Sequence, residues 1–268
     1  MIIIAGGDSF VYGSELQDSE RSYSRNSFPA LLSVGHDYNC VAWPGYGNDS
    51  ISRTVIAECH KHKDHCAVLV TWTFPGRYEF RFNYNTAQKK SPWYSFNHWT
   101  IEDQIDNIKK QFKLQDNNTI QAQISTINRA KSSGIVEFAK TFFKHVGSSE
   151  YWEIYSTLKE IVYLQNYLKM NSIPYMFTCA DNSILYNYTI YNSDEFIISL
   201  FQQIDVDNWV WFPPGTGVDQ TNTPRGFYQW AVENKYPMGT THPLEQAHED
   251  AATLLKGKFD ELVKEHIQ

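Results

Sequence analysis

The chain has 268 residues, 42% of them hydrophobic and 20% charged, which suits one large folded domain and argues against a disordered chain. The formal net charge is −7 and no run of Lys and Arg exceeds a pair, which disfavours a nucleic-acid-binding surface. Because no signal segment and no stretch of about 18 apolar residues is present, we expect no membrane association. The four cysteines show no CxxC spacing, which favours reduced thiols and a cytoplasmic location.

Short apolar runs alternate with helical patterns along the chain. The predicted strands cover residues 2–5, 39–42, 67–72 and 174–179, with a weaker fifth at 209–212. The predicted helices cover residues 27–33, 49–62, roughly 102–143, 150–170 and 243–266. Since parallel strands need crossover connections, this order predicts an α/β fold with a doubly wound parallel sheet flanked by helices.

The segment from about residue 75 to 149 is too long for a single crossover and is rich in polar and aromatic residues. We predict a single domain over residues 1–268 in which this segment is a helical and aromatic insertion that caps the active site. Aromatic side chains mostly pack in cores, although they also line grooves that bind sugars or bases.

The first predicted strand runs directly into Gly6-Gly7-Asp8-Ser9. In an open parallel sheet, ligands bind at the carboxyl ends of the strands, so Ser9 stands where chemistry is expected. The glycines permit a tight turn and close approach of a substrate to the backbone. The alternative is that Asp8 or Ser9 only caps the next helix, and we interpret Asp8 as a residue that fixes the turn.

Near the other end of the chain, His242 is followed directly by Pro243. Proline suits the first position of a helix, so His242 is predicted on the loop that enters the last helix. A histidine on such a loop is suited to act as a general base. His248, one helical turn later, is interpreted as a buried helix residue, the alternative being a partner that supports His242.

Together these segments resemble the SGNH/GDSL hydrolase family. Gly7-Asp8-Ser9-Phe10 matches the family's first block, whose serine is the nucleophile, and His242-Pro243 matches its last block, whose histidine activates that serine. The segment 41–49, Val-Ala-Trp-Pro-Gly-Tyr-Gly-Asn-Asp, matches the second block. The resemblance implies a flavodoxin-like SGNH hydrolase fold and an oxyanion hole formed by the N–H groups of Ser9 and Gly45. It leaves the predicted insertion unaccounted for.

The third block departs from the family pattern, since Thr73 stands where an asparagine should donate to the oxyanion. Thr73 is a candidate third donor, and Asn48 and Arg77 are candidates to contact the oxyanion or the substrate. Arg77 equally fits a surface ion pair with Glu79. Asn48 and its neighbour Asp49 also fit a cap for the helix that follows.

The last block also departs, because Gly239 stands three residues before His242 where the family has an aspartate. A backbone carbonyl, Glu245 or Asp219 is the candidate to orient the imidazole. The loss of such a carboxylate has cost about 10⁴-fold in turnover in a serine protease. This departure weakens the enzymatic interpretation more than the fold.

A run of histidines at residues 60–66 lies between a predicted helix end and a strand start. We interpret it as complementing the helix dipole and expect no metal and no cofactor.

The sequence thus predicts a serine hydrolase that cleaves an ester through an acyl-enzyme on Ser9. The expected partner is a small-molecule or glycan ester, with a small acyl group on a carbohydrate or similar polar carrier. The alternatives are an inactive binding or structural protein on the same scaffold, which both departures favour, and an acyltransferase.

Overall fold

The computed structural model describes residues 1–20, 22–62, 65–81, 93–97, 134–186, 191, 193–215 and 223–264. The chain divides into two compact units. The first comprises Met1–Pro75 and Ile154–Gln268, and the second comprises Gly76–Glu153.

Six strands are present among the described residues. In chain order they are β1 (Ile2–Gly6), β2 (Asp37–Cys40), β3 (Cys66–Trp72), β4 (Tyr78–Arg81), β5 (Trp93–Phe96) and β6 (Tyr175–Cys179). Strands β1, β2, β3 and β6 form a parallel sheet in the order β2-β1-β3-β6. This order is compatible with a flavodoxin-like fold and confirms the α/β class with a parallel sheet.

Register within the sheet places β1 at its centre. Ile2 pairs with Asp37 on one side and with Cys66 on the other, and β3 pairs through Val68 with Tyr175 of β6. The second strand ends at Cys40, two residues before its predicted end. The predicted fifth strand at 209–212 is reduced, within the described part of the chain, to two isolated bridges, a parallel one between Phe177 and Trp209 and an antiparallel one between Phe212 and Arg225.

Helices connect and flank the strands. In chain order they are α1 (Ser9–Tyr12), α2 (Phe28–Leu32), α3 (Asn48–Cys59), α4 (Ile135–Phe142), α5 (Glu150–Met170), α6 (Ser183–Tyr186), α7 (Glu195–Phe201), α8 (Phe227–Glu233) and α9 (Glu245–Lys264). The predictions that became α2, α3, α5 and α9 are confirmed, whereas residues 102–133 of the predicted long helix lie outside the described residues. The short helices α1, α6, α7 and α8 were not predicted because four to seven residues barely reveal a helical period.

Among the helices described, none combines the length and the apolarity that crossing a membrane would need.

The core of the first unit holds α9 against the sheet. Helix α9 packs on α2 and buries a stripe at four-residue spacing that consists of Ala247, Ala251, Leu255 and Phe259. These side chains belong to one cluster with Ile3 of β1 and Phe10 of α1. Because the last helix is fixed in this way, the loop that enters it is fixed as well.

The described part of the second unit has its own aromatic core. Strands β4 and β5 are antiparallel, with Tyr78 opposite Phe96, and both rings pack in a cluster with Phe143. The Tyr78 hydroxyl donates to the Gly147 carbonyl at 3.0 Å. These three aromatic residues therefore contribute to a core, and the predicted capping of the active site stays a prediction.

The turn from β1 into α1 is tightly packed at Gly7. A Cβ at Gly7 would lie 2.3 Å from Cγ2 of Val11 and 3.2 Å from the Thr71 carbonyl oxygen. We expect Gly7→Ala to lower the free energy of unfolding by ~1–3 kcal/mol, because overpacking forces the turn apart. Gly257→Ala, at a helical site where nothing lies within 4 Å of the new Cβ among the described residues, should instead raise it by up to ~1 kcal/mol. Urea unfolding at pH 7 measures both, and equal effects would contradict the packing argument.

Candidate active site

Ser9 is the first residue of α1 and lies just beyond the carboxyl end of the central strand β1. Asp8 precedes it as the helix cap, and its Oδ1 accepts a hydrogen bond from the Phe10 N–H at 3.0 Å. Ser9 is 7% exposed. Neither its N–H nor its hydroxyl donates a hydrogen bond to a residue that the structure describes. Such first-turn N–H groups have no partner within the helix and are available to a ligand.

The other oxygen of Asp8 binds the end of β3. Thr73 donates its hydroxyl proton to Asp8 Oδ2 at 2.6 Å, and both side chains are fully buried. A threonine hydroxyl has one proton to donate. The prediction that Thr73 is an oxyanion donor is therefore wrong for this conformation, and Thr73 instead anchors the turn that carries Ser9.

Asn48 is also committed to structural hydrogen bonds. Its Oδ1 accepts from the Thr73 N–H at 2.9 Å, and its Nδ2 donates to the Thr73 carbonyl at 3.1 Å and to Thr157 Oγ1 at 3.2 Å. Both amide protons are used, so the predicted contact with substrate or oxyanion is not supported. Its predicted capping role is wrong as well, because Gly47 occupies the cap position of α3 without a side-chain bond.

Gly45 lies on the loop that follows β2. Its φ of +87° is in the left-handed region that favours glycine, and no described atom lies within 4 Å of where a Cβ would stand. The same loop carries Trp43, which is 57% exposed and whose ring meets that of Tyr12 in α1 at 5.4 Å. The loop therefore lies beside the helix that begins with Ser9, where an N–H donor from Gly45 is predicted.

His242 lies on the loop before α9, close to α1. Its ring centroid is 5.0 Å from that of Phe10, the residue after Ser9. Helix α9 begins at Glu245, two residues after the predicted start, so Pro243 lies on the loop before the helix and not at its first position. The segment that carries Ser9 and the loop that carries His242 thus meet at the carboxyl end of β1.

One nitrogen of the His242 ring is held by a carboxylate that sequence reasoning missed. Glu15 Oε1 lies 2.9 Å from His242 Nδ1, and the Thr241 hydroxyl lies 2.9 Å from the same nitrogen. Partial burial alone would raise the pKa of Glu15, but hydrogen bonds from His242 and Thr241 outweigh it and lower that pKa below its ordinary value. An ionised carboxylate only accepts, so Nδ1 carries the proton and a neutral ring has its lone pair on Nε2.

Of the two acids predicted to orient His242, Glu245 does not occupy that position. Glu245 Oε1 accepts a hydrogen bond from the Gln17 N–H at 2.9 Å and so binds the segment that follows Glu15. Glu245 reaches that backbone instead because it lies in the first turn of α9. Asp219 lies outside the described residues.

Ser9 and His242 are not hydrogen-bonded to each other in this conformation. His242 Nε2 has no hydrogen-bond partner among the residues that the structure describes, and neither has the Ser9 hydroxyl. Catalytic hydrogen bonds are often long or poorly aligned before substrate binds. The geometry therefore places an oriented imidazole against Phe10, the residue after Ser9. Neither the Ser9 hydroxyl nor His242 Nε2 is hydrogen-bonded to another described residue.

His248 is a buried residue of α9. Its Nδ1 accepts a hydrogen bond from the Phe28 N–H at 3.1 Å, and its ring stacks on that of Phe28 at 6.1 Å. Burial, with a smaller contribution from nearby His242, lowers the pKa of His248 to about 3. The ring is therefore neutral at neutral pH and ties α9 to the start of α2.

Two further candidates from the sequence remain, Arg77 and the histidine run. Arg77 belongs to the second unit, and its predicted contact stays a prediction. In the histidine run, His62 Nε2 lies 3.3 Å from Glu58 Oε1. Across the described ranges, no group of three or more His, Cys, Asp or Glu residues is arranged to hold a metal ion.

Comparison with models of protein families gives no match for this chain, and comparison with curated proteins gives none either. What the site can do is therefore inferred from its own geometry.

Protonation of His248 should limit stability at acid pH. The unfolded chain takes up this proton near the ordinary pKa of 6.5, whereas the folded protein takes it up only near 3. Stability should therefore be complete above about pH 6.5 and fall by up to ~1.4 kcal/mol per unit as the pH drops toward 3. His248→Asn retains an acceptor for the Phe28 N–H without a titrating ring, so its urea-unfolding free energy should fall less steeply between pH 7 and 4.5. His60→Asn, at an exposed position, is the matched control, and equal slopes in all three proteins would refute the assignment.

Proposed function

We propose that the protein is a serine hydrolase that cleaves an ester, with Ser9 as nucleophile and His242 as general base. One observation carries the proposal. The His242 ring is held at Nδ1 by the Glu15 carboxylate and packs on Phe10, the residue after Ser9. The other ring nitrogen, Nε2, therefore remains to accept a proton close to Ser9. The resemblance of both segments to the SGNH/GDSL blocks agrees with these roles.

The reaction begins when Ser9 Oγ attacks the ester carbonyl carbon and His242 Nε2 takes the hydroxyl proton. The oxyanion of the tetrahedral intermediate accepts hydrogen bonds from the N–H groups of Ser9 and Gly45. The intermediate collapses, the C–O bond to the alcohol breaks, and the alcohol leaves with the proton from His242. Water then attacks the acyl-enzyme, His242 takes the proton of the water, and the proton returns to Ser9 as the acid leaves.

Thr73 cannot add a third oxyanion donor while its proton is bound to Asp8. One such donor is typically worth about 10²- to 10³-fold in turnover. We therefore expect slow turnover compared with hydrolases that have three donors.

The preferred substrate is a small acyl group on a carbohydrate or similar polar carrier. Support comes from Trp43, which is 57% exposed, lies two residues before Gly45 and contacts Tyr12 of the nucleophile helix. Aromatic walls with a few polar groups are typical of small-molecule sites. An exposed ring next to the oxyanion donor suits the apolar face of a sugar.

An inactive binding scaffold is the second candidate, and one observation favours it. No hydrogen bond joins Ser9 to His242 among the described residues, and two family features, the asparagine and the aspartate, are replaced. The labelling experiment below separates the two candidates.

A fluorophosphonate probe should form an adduct on Ser9 of the folded protein, detected by intact mass and peptide mapping. Ser9→Ala should abolish the adduct, and His242→Ala should slow its formation on the order of 10³-fold or more because the hydroxyl loses its base. Ser14→Ala, one turn beyond the helix start, is the control and should react like the wild type. A folded wild-type protein that forms no adduct on Ser9 would establish the inactive scaffold.

Trp43→Ala tests whether the acyl group is carried on a carbohydrate. We expect KM for an acetylated monosaccharide to rise about 3- to 10-fold, the value of one lost aromatic contact, with little change in the hydrolysis of 4-nitrophenyl acetate. Tyr163→Ala, which removes another exposed aromatic ring of the first unit, should change neither substrate. An equal loss with both substrates in Trp43→Ala would argue against a sugar platform.

A further inference from the structure

We infer that Glu15 is the positioning acid of the site, supplied from the nucleophile segment, and that Gly239 is a glycine in order to leave room for it. This inference rests on the proposed function, because orienting His242 matters for catalysis only if His242 is the base.

The Glu15 carboxylate accepts hydrogen bonds from His242 and from the two residues before it. Oε1 receives the His242 Nδ1–H at 2.9 Å and the Thr241 hydroxyl at 3.0 Å. Oε2 receives the Thr240 N–H, and the Thr241 N–H lies 3.3 Å from both oxygens. The same carboxylate therefore fixes the ring and the backbone that precedes it, which is what a histidine-orienting acid has to do.

Gly239 shows that this arrangement excludes a side chain at the family's aspartate position. A Cβ at residue 239 would lie 2.0 Å from Glu15 Oε2 and 3.1 Å from its Cδ. Gly239 does not have a positive φ, so its backbone conformation does not require glycine. What requires glycine is the Glu15 carboxylate, which occupies the space that a side chain at residue 239 would enter.

Residue 239 is also next to the backbone of His242, and a Cβ there would point at the carboxylate that holds the ring. The Gly239 N–H donates to the His242 carbonyl at 2.8 Å and closes a tight turn. An aspartate at 239 and a glutamate at 15 are thus alternative sources of one carboxylate, and the turn has space for one of them.

The backbone at Glu15 indicates that this position is held under strain. Its φ is +71°, in the left-handed region that residues with a Cβ rarely adopt. Strain of this kind persists where the surrounding structure imposes it, often at functional sites. Here the Leu16 N–H bonds the Gly13 carbonyl at 3.2 Å and the Gln17 N–H bonds Glu245 at 2.9 Å, so both sides of Glu15 are held.

The experiment compares Glu15→Gln, Glu15→Ala, Gly239→Asp and the double variant Glu15→Ala/Gly239→Asp. Glu15→Ala should lose about 10²- to 10⁴-fold in kcat with KM changed only a few-fold, since orientation is needed in the transition state. Gly239→Asp alone should also lose activity, because the two side chains collide. The double variant should recover at least tenfold over Glu15→Ala, because the carboxylate returns from the other side of the turn.

The His242 Nδ1–H proton gives a readout that does not depend on turnover. A low-field proton resonance, assigned by its loss in His242→Ala, should be present in the wild type and the double variant and absent in Glu15→Gln and Glu15→Ala. Glu20→Gln, an exposed residue of the same segment, should keep both the resonance and the activity. Thermal melts establish that each variant is folded.

The outcomes separate this inference from the proposed function. Glu15→Gln with an unchanged resonance and kcat within threefold of wild type would overturn the role of Glu15. A double variant that folds but recovers neither the resonance nor activity would overturn the exchange with Gly239. A wild type that shows the resonance, loses it in Glu15→Gln and hydrolyses no ester would overturn the proposed function and still support Glu15 as the group that holds the ring.

Discussion

The site depends on one contact between residues 227 positions apart, the hydrogen bond between the Glu15 carboxylate and His242 Nδ1. It has to be supported by packing, because a bond between two partly exposed groups contributes little on its own. The support comes from α9, whose stripe of Ala247, Ala251, Leu255 and Phe259 is buried against the first unit's core. The imidazole is therefore positioned by α9, and the buried apolar face of that helix holds the helix in place independently of the site.

A second buried network fixes Ser9. Asp8 is bonded to the Phe10 N–H at the start of α1 and to the Thr73 hydroxyl at the end of β3, while Asn48 links α3 to the backbone of Thr73. Buried polar groups are costly unless all of them are paired. This network therefore defines one geometry for the strand ends, and the position of Ser9 follows from it.

The sequence was informative where physical periodicity or a local motif was involved. Continuous apolar runs predicted the strands of the parallel sheet, and the stripe on α9 predicted the last helix. Sequence did not reveal which polar groups bind each other. Thr73 and Asn48 looked like free donors, yet each is committed to a neighbour that folding brings close. Glu15 was missed because no period or motif marks it. Its one trace in the sequence was Gly239, a glycine where an acid was expected.

The eight residues from Asp8 to Glu15 combine the cap of α1, the proposed nucleophile, the ring contact at Phe10 and the carboxylate that holds His242. Because they follow β1 directly, their placement is set by a strand that is paired on both sides. The loop from Gly239 to His242 complements them: it has no side chain at Gly239, where the Glu15 carboxylate lies, and it presents N–H and hydroxyl groups to that carboxylate. The proposed nucleophile and its proposed positioning acid thus lie on one segment, and the proposed base, His242, comes from the loop that precedes α9.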